Sequence, residues 1–237
     1  MHGRDFRALL FDVFGTVVDW RRSIIHEGEA IGAHLGIDID WAAFADAWRG
    51  LYQPSMEAVR SGRRPWCRLD DLHRESLLTL LDRFGIDQLA PAQVEQFNRA
   101  WHRLDPWPDA VPGLTRLRRR YTLATLSNGN IALLVDLAKR AGLPWDAVLG
   151  AETAGCYKPQ PEAYLRSADQ LGLAPAQCVM VAAHNDDLRT AQGLGFGTAF
   201  VCRPTEYGPD QQADLGPEGA WDFVADSLLE LAAKMGT

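Results

Sequence analysis

The stretch ALLFDVFGTVVDW, Ala8 to Trp20, opens with four apolar residues and then meets an aspartate and a Gly-Thr turn. An apolar run without alternation reads as a strand buried on both faces, and Asp12 stands at its end with nothing polar before it. The stretch has no strand partner nearby in sequence. From about Ser23 to His102 the pattern is helical: DDLHRESLLTLLDRFGI puts Leu77, Leu80, Leu81 and Phe84 on one face, and PAQVEQFNRAWHRL begins with a proline suited to a first helical turn. After DPWPDAVPG the texture changes, and YTLATL, AVLG, CVMVAA and GTAFVC read as short strands with helices between them. The opening strand is therefore expected to join a parallel sheet made by the C-terminal half. That predicts an α/β, Rossmann-like core from residues 1–18 and 106–237, with a helical insertion over 19–105 that sits above the strand ends.

Composition narrows the partners. The 237 residues are 47% hydrophobic and 23% charged, enough to bury a full core. With 24 basic against 31 acidic side chains the formal charge is -7, the wrong sign for a nucleic-acid surface. MHGRDFRALLF holds too short an apolar run for a signal peptide, and no segment approaches a membrane span, so a cytoplasmic protein is expected. Cys67, Cys156, Cys178 and Cys202 show neither zinc-ligand nor disulfide spacing and read as buried free thiols. The chain has no internal repeat or low-complexity tract.

In open parallel sheets ligands bind outside the carboxyl ends of the strands. Four polar groups fall there in this sequence: Asp12; Ser127 and Asn128 in TLSNGN; Lys158 in YKPQPEAY; and Asp186 and Asp187 in VMVAAHNDDL. Each has a plain alternative. Asp12 suits a turn, Ser127 and Asn128 suit helix caps, Lys158 suits a solvated surface, and the acidic pair suits a first helical turn. Their order along the chain is harder to dismiss than any one of them.

That order, Asp, Ser, Lys, acidic pair, resembles the haloacid dehalogenase superfamily over nearly the whole chain, and within it the L-2-haloacid dehalogenases. The resemblance implies the superfamily core with its inserted helical cap, and a hydrolase acting on the carbon-halide bond of short 2-haloalkanoic acids. It makes Asp12 the nucleophile that displaces halide from C2 and becomes an alkyl ester. Lys158 keeps Asp12 ionised, and Asp187 orients or activates the hydrolytic water. Thr16, Ser127 and the amides of that loop position the nucleophile or the substrate carboxylate, and Asn128 helps hold the halide. Tyr164 matches a family tyrosine near the nucleophile. AFADAWRGLYQ resembles the cap segment whose arginine, here Arg49, reaches toward the halide, a role that suits a permanently charged group with several donors.

Superfamily phosphatases carry Asp-x-Asp-Gly-Thr, in which the second Asp protonates the leaving group and its backbone helps hold magnesium. Here DVFGT puts Phe14 at that position, and an aromatic ring cannot be a general acid. A halide leaving group needs no proton. Ala183 falls where the first acid of the fourth phosphatase motif would stand, leaving few oxygen ligands for a hard cation unless Asp186 substitutes. No cofactor and no metal are expected. Compared with better-known haloacid dehalogenases, Ala182 and His184 replace a serine and an asparagine, and Phe14 replaces a common tyrosine. His184 is grouped with the site residues, for hydrolysis or halide contact, although a plain helix cap is the favoured account of a lone histidine. The expected partner is a small haloacid, with no nucleic acid or membrane and with a homodimer left open. Two competing functions stand beside this one: a magnesium-dependent phosphatase forming an aspartyl phosphate, and a non-catalytic relative that binds a small acid or a partner.

Overall fold

A computed structural model describes residues 5–237. Residues 1–4, the first residues of the expected core segment and of the MHGRDFRALLF stretch, lie outside the described residues. Strand β1 (Ala8–Phe11) enters the sheet, and the chain leaves through β2 (Val18–Asp19) into α1 (Trp20–Leu35), α2 (Trp41–Gly50), α3 (Tyr52–Arg60), α4 (Leu69–Arg83) and α5 (Pro91–Asn98). A 3-10 turn over Arg99–Arg103 leads back through β3 (Asp105–Pro106). There follow α6 (Ala110–Leu117), β4 (Thr122–Thr125), α7 (Ile131–Ala141), the short α8 (Ala151–Ala154), α9 (Pro161–Gln170), β5 (Cys178–Ala182), α10 (Asn185–Gly193), β6 (Gly197–Val201), β7 (Phe223–Ala225) and α11 (Leu228–Lys234).

The sheet order is β4-β1-β5-β6-β7, with every neighbouring pair parallel. Strand β1 lies between β4 and β5, so its N–H and C=O groups are paired on both sides and its four side chains are fully buried. This explains the unbroken apolar run. Leu9 and Phe11 join Val179, Val181 and the apolar faces of α6, α7 and α11 on one side, while Ala8 and Leu10 join Met180, Ala182, α9 and α10 on the other. Fully burying a side chain such as Leu9 or Phe11 contributes roughly 1.5–3 kcal/mol.

The insertion is joined to the sheet by two strands pairing antiparallel, Val18 with Pro106 and Asp19 with Asp105. The Asp19 carboxylate caps α1 by accepting from the Arg22 N–H at 3.0 Å, and Asp40 caps α2 through the Ala43 N–H at 2.9 Å. Pro91 occupies the first turn of α5, as its sequence predicts. An aromatic cluster of Trp41, Phe44, Trp48, Phe97 and Trp101 fills the insertion and continues through Phe14, Val17 and Val18 into the core. Across the junction, His102 bridges Asp70 (3.0 Å) and Asp136 (2.7 Å), Asn130 donates to Asp70 at 2.8 Å, and Arg60 donates to the Lys158 carbonyl at 2.9 Å. Several independent polar contacts thus hold the helices over the strand ends.

Three expectations need correction. AVLG is not a strand: Ala147 and Gly150 make only isolated bridges to Ala124 and Ser127, because the chain turns after each contact and Gly150 adopts φ +135° against the Ser127 backbone. Strand β7 and helix α11 complete the sheet beyond the expected strands. Of the four free cysteines only Cys178, within β5, is buried; Cys67, Cys156 and Cys202 are half-buried on loops or at element ends. Among the described residues no helix is long and apolar enough to cross a membrane.

Candidate active site

Asp12 follows directly on β1, its N–H bonded to the Val181 carbonyl at 3.0 Å, which presents the carboxylate at the carboxyl end of the central strand. Thr16 reaches back from the turn and donates to Asp12 Oδ2 at 2.8 Å, while its own oxygen accepts the Ala183 N–H at 2.9 Å. On the other oxygen, Lys158 Nζ lies 3.0 Å from Asp12 Oδ1 and also contacts Asp187. Asp187 Oδ1 accepts from the Tyr164 hydroxyl at 2.5 Å, so both Asp187 oxygens are engaged. Burial alone would raise the Asp12 carboxyl, yet the Lys158 ammonium and the hydrogen-bonded His184 hold it well below the usual carboxylate range. Burial would likewise lower Lys158, but Asp12 and Asp187 push it above the ordinary lysine range. Both remain ionised at neutral pH.

Ser127 and Asn128 stand on the turn after β4. The Asn128 amide oxygen accepts the Lys158 N–H at 2.8 Å, and its side chain lines the cavity above Asp12. Ser127 is fully buried, with its hydroxyl accepting the Gly129 N–H at 3.1 Å. It shapes the turn and does not line the cavity.

From the inserted helices, Arg49 and Tyr52 close the opposite wall. The Arg49 guanidinium lies 4.1 Å from the Tyr52 ring centroid and 5.3 Å from that of Trp20. Its Nη1 is buried and has no hydrogen-bond partner. Burial would lower the Arg49 pKa, but Tyr207 and Tyr52 hold it above its ordinary value, so the guanidinium is charged. His73 packs close by, stacked on Trp101 at 4.3 Å, and burial pushes it down to about 3, so it adds no second charge under Arg49. Phe14 also faces the cavity and sets its ring edge-on to Tyr52 (6.4 Å) and Trp101 (5.9 Å). The cavity between these walls measures about 710 Å³.

His184 departs from the favoured account of a helix cap. It is the residue before α10, but its side chain caps nothing. Instead Nδ1 lies 3.3 Å from Asp12 Oδ2, and Nε2 lies 2.9 Å from Glu206 Oε2. Glu206, 1% exposed, also accepts from Trp20 Nε1 at 2.9 Å. Gly15, at φ +85°, makes room for it: a Cβ there would fall on the Glu206 carboxylate. Sequence reasoning missed Glu206, Tyr52, Tyr207 and Arg60. Only the glycine in DVFGT hinted that something packs closely against the turn.

The site does not suit a hard divalent cation. Ala183 brings no oxygen side chain, and Asp186, whose side chain is 94% exposed, turns outward to pair with Arg189 instead of substituting. Lys158 already occupies the space between Asp12 and Asp187, and among the described residues no cluster of three or more acidic, histidine or cysteine side chains is arranged to bind a metal.

A model of the haloacid dehalogenase-like hydrolases matches residues 6–195. The chain belongs to that family. The defluorinating L-2-haloacid dehalogenase Rha0230 is 48% identical to it, with a TM-score of 0.96 over 98% of this chain and 96% of that one. The L-2-haloacid dehalogenase PA0810 is 47% identical, with a TM-score of 0.94 over 97% and 98%. (S)-2-haloacid dehalogenase 4A of Burkholderia cepacia is 28% identical over 234 residues, 95% of this chain and 98% of its own. The superfamily resemblance read from Asp12, Lys158 and the acidic pair thus holds over nearly the full length.

Proposed function

We propose that this family member removes halide hydrolytically from short 2-haloalkanoic acids, giving 2-hydroxy acids through an ester on Asp12. In this reading the functional division follows residues 1–18 and 106–237 for the catalytic core and 19–105 for the cap. One observation carries the reading: an ionised, buried Asp12 faces a cavity whose opposite wall holds a charged Arg49 with a buried, unpartnered N–H group. A nucleophile and an anion acceptor on opposite walls suit an in-line displacement at carbon.

Asp12 attacks C2 of the haloacid from the side away from the halogen. The new C–O bond forms as the C–X bond breaks, and the electron pair leaves on halide, which Arg49 and Asn128 receive. Thr16 and Lys158 fix the carboxylate, while Asp187, held by Tyr164, keeps Lys158 in place. Phe14 supplies an apolar wall. Water then attacks the Asp12 carboxyl carbon and releases the hydroxy acid. The -7 charge speaks against a nucleic-acid partner, and the reaction fits a cytoplasmic enzyme acting on a small anion.

Metal removal tests this against the phosphatase alternative. Halide release from 2-chloropropionate should be unchanged by EDTA, and p-nitrophenyl phosphate should not be turned over with magnesium present. Activity that EDTA abolishes and magnesium restores, or phosphate hydrolysis as the stronger activity, would favour the phosphatase. An assay with fluoroacetate alongside chloroacetate reads out the halogen range.

A further inference from the structure

Glu206 and His184 form a buried pair beside the nucleophile, and the displacement step uses neither. The imidazole is clamped between two carboxylates, 3.3 Å from Asp12 and 2.9 Å from Glu206. Glu206 is itself fixed by Trp20 and by the space that Gly15 leaves. This arrangement holds an Nε2–H toward Glu206 and turns Nδ1 toward Asp12. Asp187 is less well placed to accept a proton, since a lysine and a tyrosine already occupy its oxygens.

Resting on the reading that Asp12 is esterified in turnover, we propose that His184, oriented by Glu206, is the base of ester hydrolysis and that the charge on Asp12 sets when it holds a proton. With Asp12 ionised, the imidazole carries both protons and one points at Asp12. Alkylation turns Asp12 into a neutral ester and removes one of the two anions that stabilise the imidazolium. The Nδ1 proton then leaves through the cavity, where the His184 side chain is 18% exposed. The freed Nδ1 takes a proton from the water that attacks the Asp12 carboxyl carbon. Of the two water protons, one ends on His184 and the other on the product hydroxyl, while the Asp12 carboxylate is restored beside the imidazolium. The net reaction, haloacid plus water to hydroxy acid, halide and one proton, therefore releases its proton in the first half.

The electrostatics agree. Burial would lower His184, but Glu206 and Asp12 raise it well above the ordinary histidine range in the resting protein. The other charged groups around the pair do not change on alkylation: Lys158 and Asp187 beyond Asp12, Arg49 and Asp19 near Glu206, Asp214 bonded to Asn185, and the outward Asp186–Arg189 pair. Of the groups around His184, only Asp12 changes charge through the cycle, and the imidazole follows it.

The test is a single turnover of 2-chloropropionate with enzyme in excess, following halide, a pH indicator and the intact mass of the chain. The wild type should release one proton per halide, in step with halide and ahead of product. His184→Gln should release halide in one burst without that proton and accumulate the ester, hydrolysing it about 10²- to 10⁴-fold more slowly. In Glu206→Gln the weaker pull on the imidazolium should move the acid limb of ester hydrolysis to lower pH. Proton release that tracks product in the wild type would overturn the proposal, as would ester hydrolysis at near-wild-type rate in His184→Gln. Trapping of the ester by Asp187→Asn but not by His184→Gln would give the base to Asp187 and overturn it too. A wild type that releases no halide would instead refute the dehalogenase reading on which the proposal rests.

Discussion

Asp12→Asn should lower halide release from 2-chloropropionate by on the order of 10⁴- to 10⁶-fold, the scale seen when a covalent nucleophile is removed. The amide has nearly the volume of the carboxylate, and its one carbonyl oxygen can still accept from Lys158 or from Thr16, which bind different carboxylate oxygens, so the cavity keeps its shape at the loss of one of these hydrogen bonds. What disappears is the anion that attacks C2. Loss of that charge also leaves Lys158 with only Asp187 as its ionic partner and His184 with only Glu206, so a lower melting temperature is expected with the fold retained. Circular dichroism separates the two effects: a native spectrum with no halide release supports the role, and a native spectrum with substantial halide release refutes it.

Arg49→Lys should reduce kcat/KM by about 10²- to 10³-fold, the cost of losing one well-aimed donor to a developing anion. The positive charge survives the change, but the geometry does not. The guanidinium is planar and lies 4.1 Å from the Tyr52 ring centroid, with Nη1 free, an arrangement that lets one face stack while the edge donates. A lysine is shorter and presents a compact ammonium that cannot do both. Near-normal kinetics for Arg49→Lys would mean that charge alone suffices at this wall.

How far the site could be read from sequence depended on where each residue sits. Asp12 lies one residue past β1 and Asn128 three past β4, and a strand end is legible as an apolar run that stops. Phe14 spoke against a phosphatase from its position alone, and the cavity gives the same answer through its aromatic contacts. Ser127 has the right position but is buried under the turn, because position in a motif does not tell which way a hydroxyl points. Glu206 and Tyr207 belong to an irregular segment after β6 with no periodicity, and only tertiary packing against Trp20 and Gly15 brings Glu206 to His184. The histidine therefore looked like an isolated cap when its partner was 22 residues away in sequence. AVLG failed as a strand for a related reason: four suitable residues lack a continuous neighbour with which to pair.

The central claim is that the carboxylate oxygen of Asp12, and not a water oxygen, bonds to C2. A single turnover of an L-2-haloacid in heavy-oxygen water, with enzyme in excess, measures this directly. The expected product is the D-2-hydroxy acid, inverted once, with almost no label, and one heavy oxygen should be found in Asp12 by peptide mass analysis. Product of the same inverted configuration that carries the heavy oxygen from the first turnover, with Asp12 unlabelled, would show direct attack of water on C2 and contradict the account.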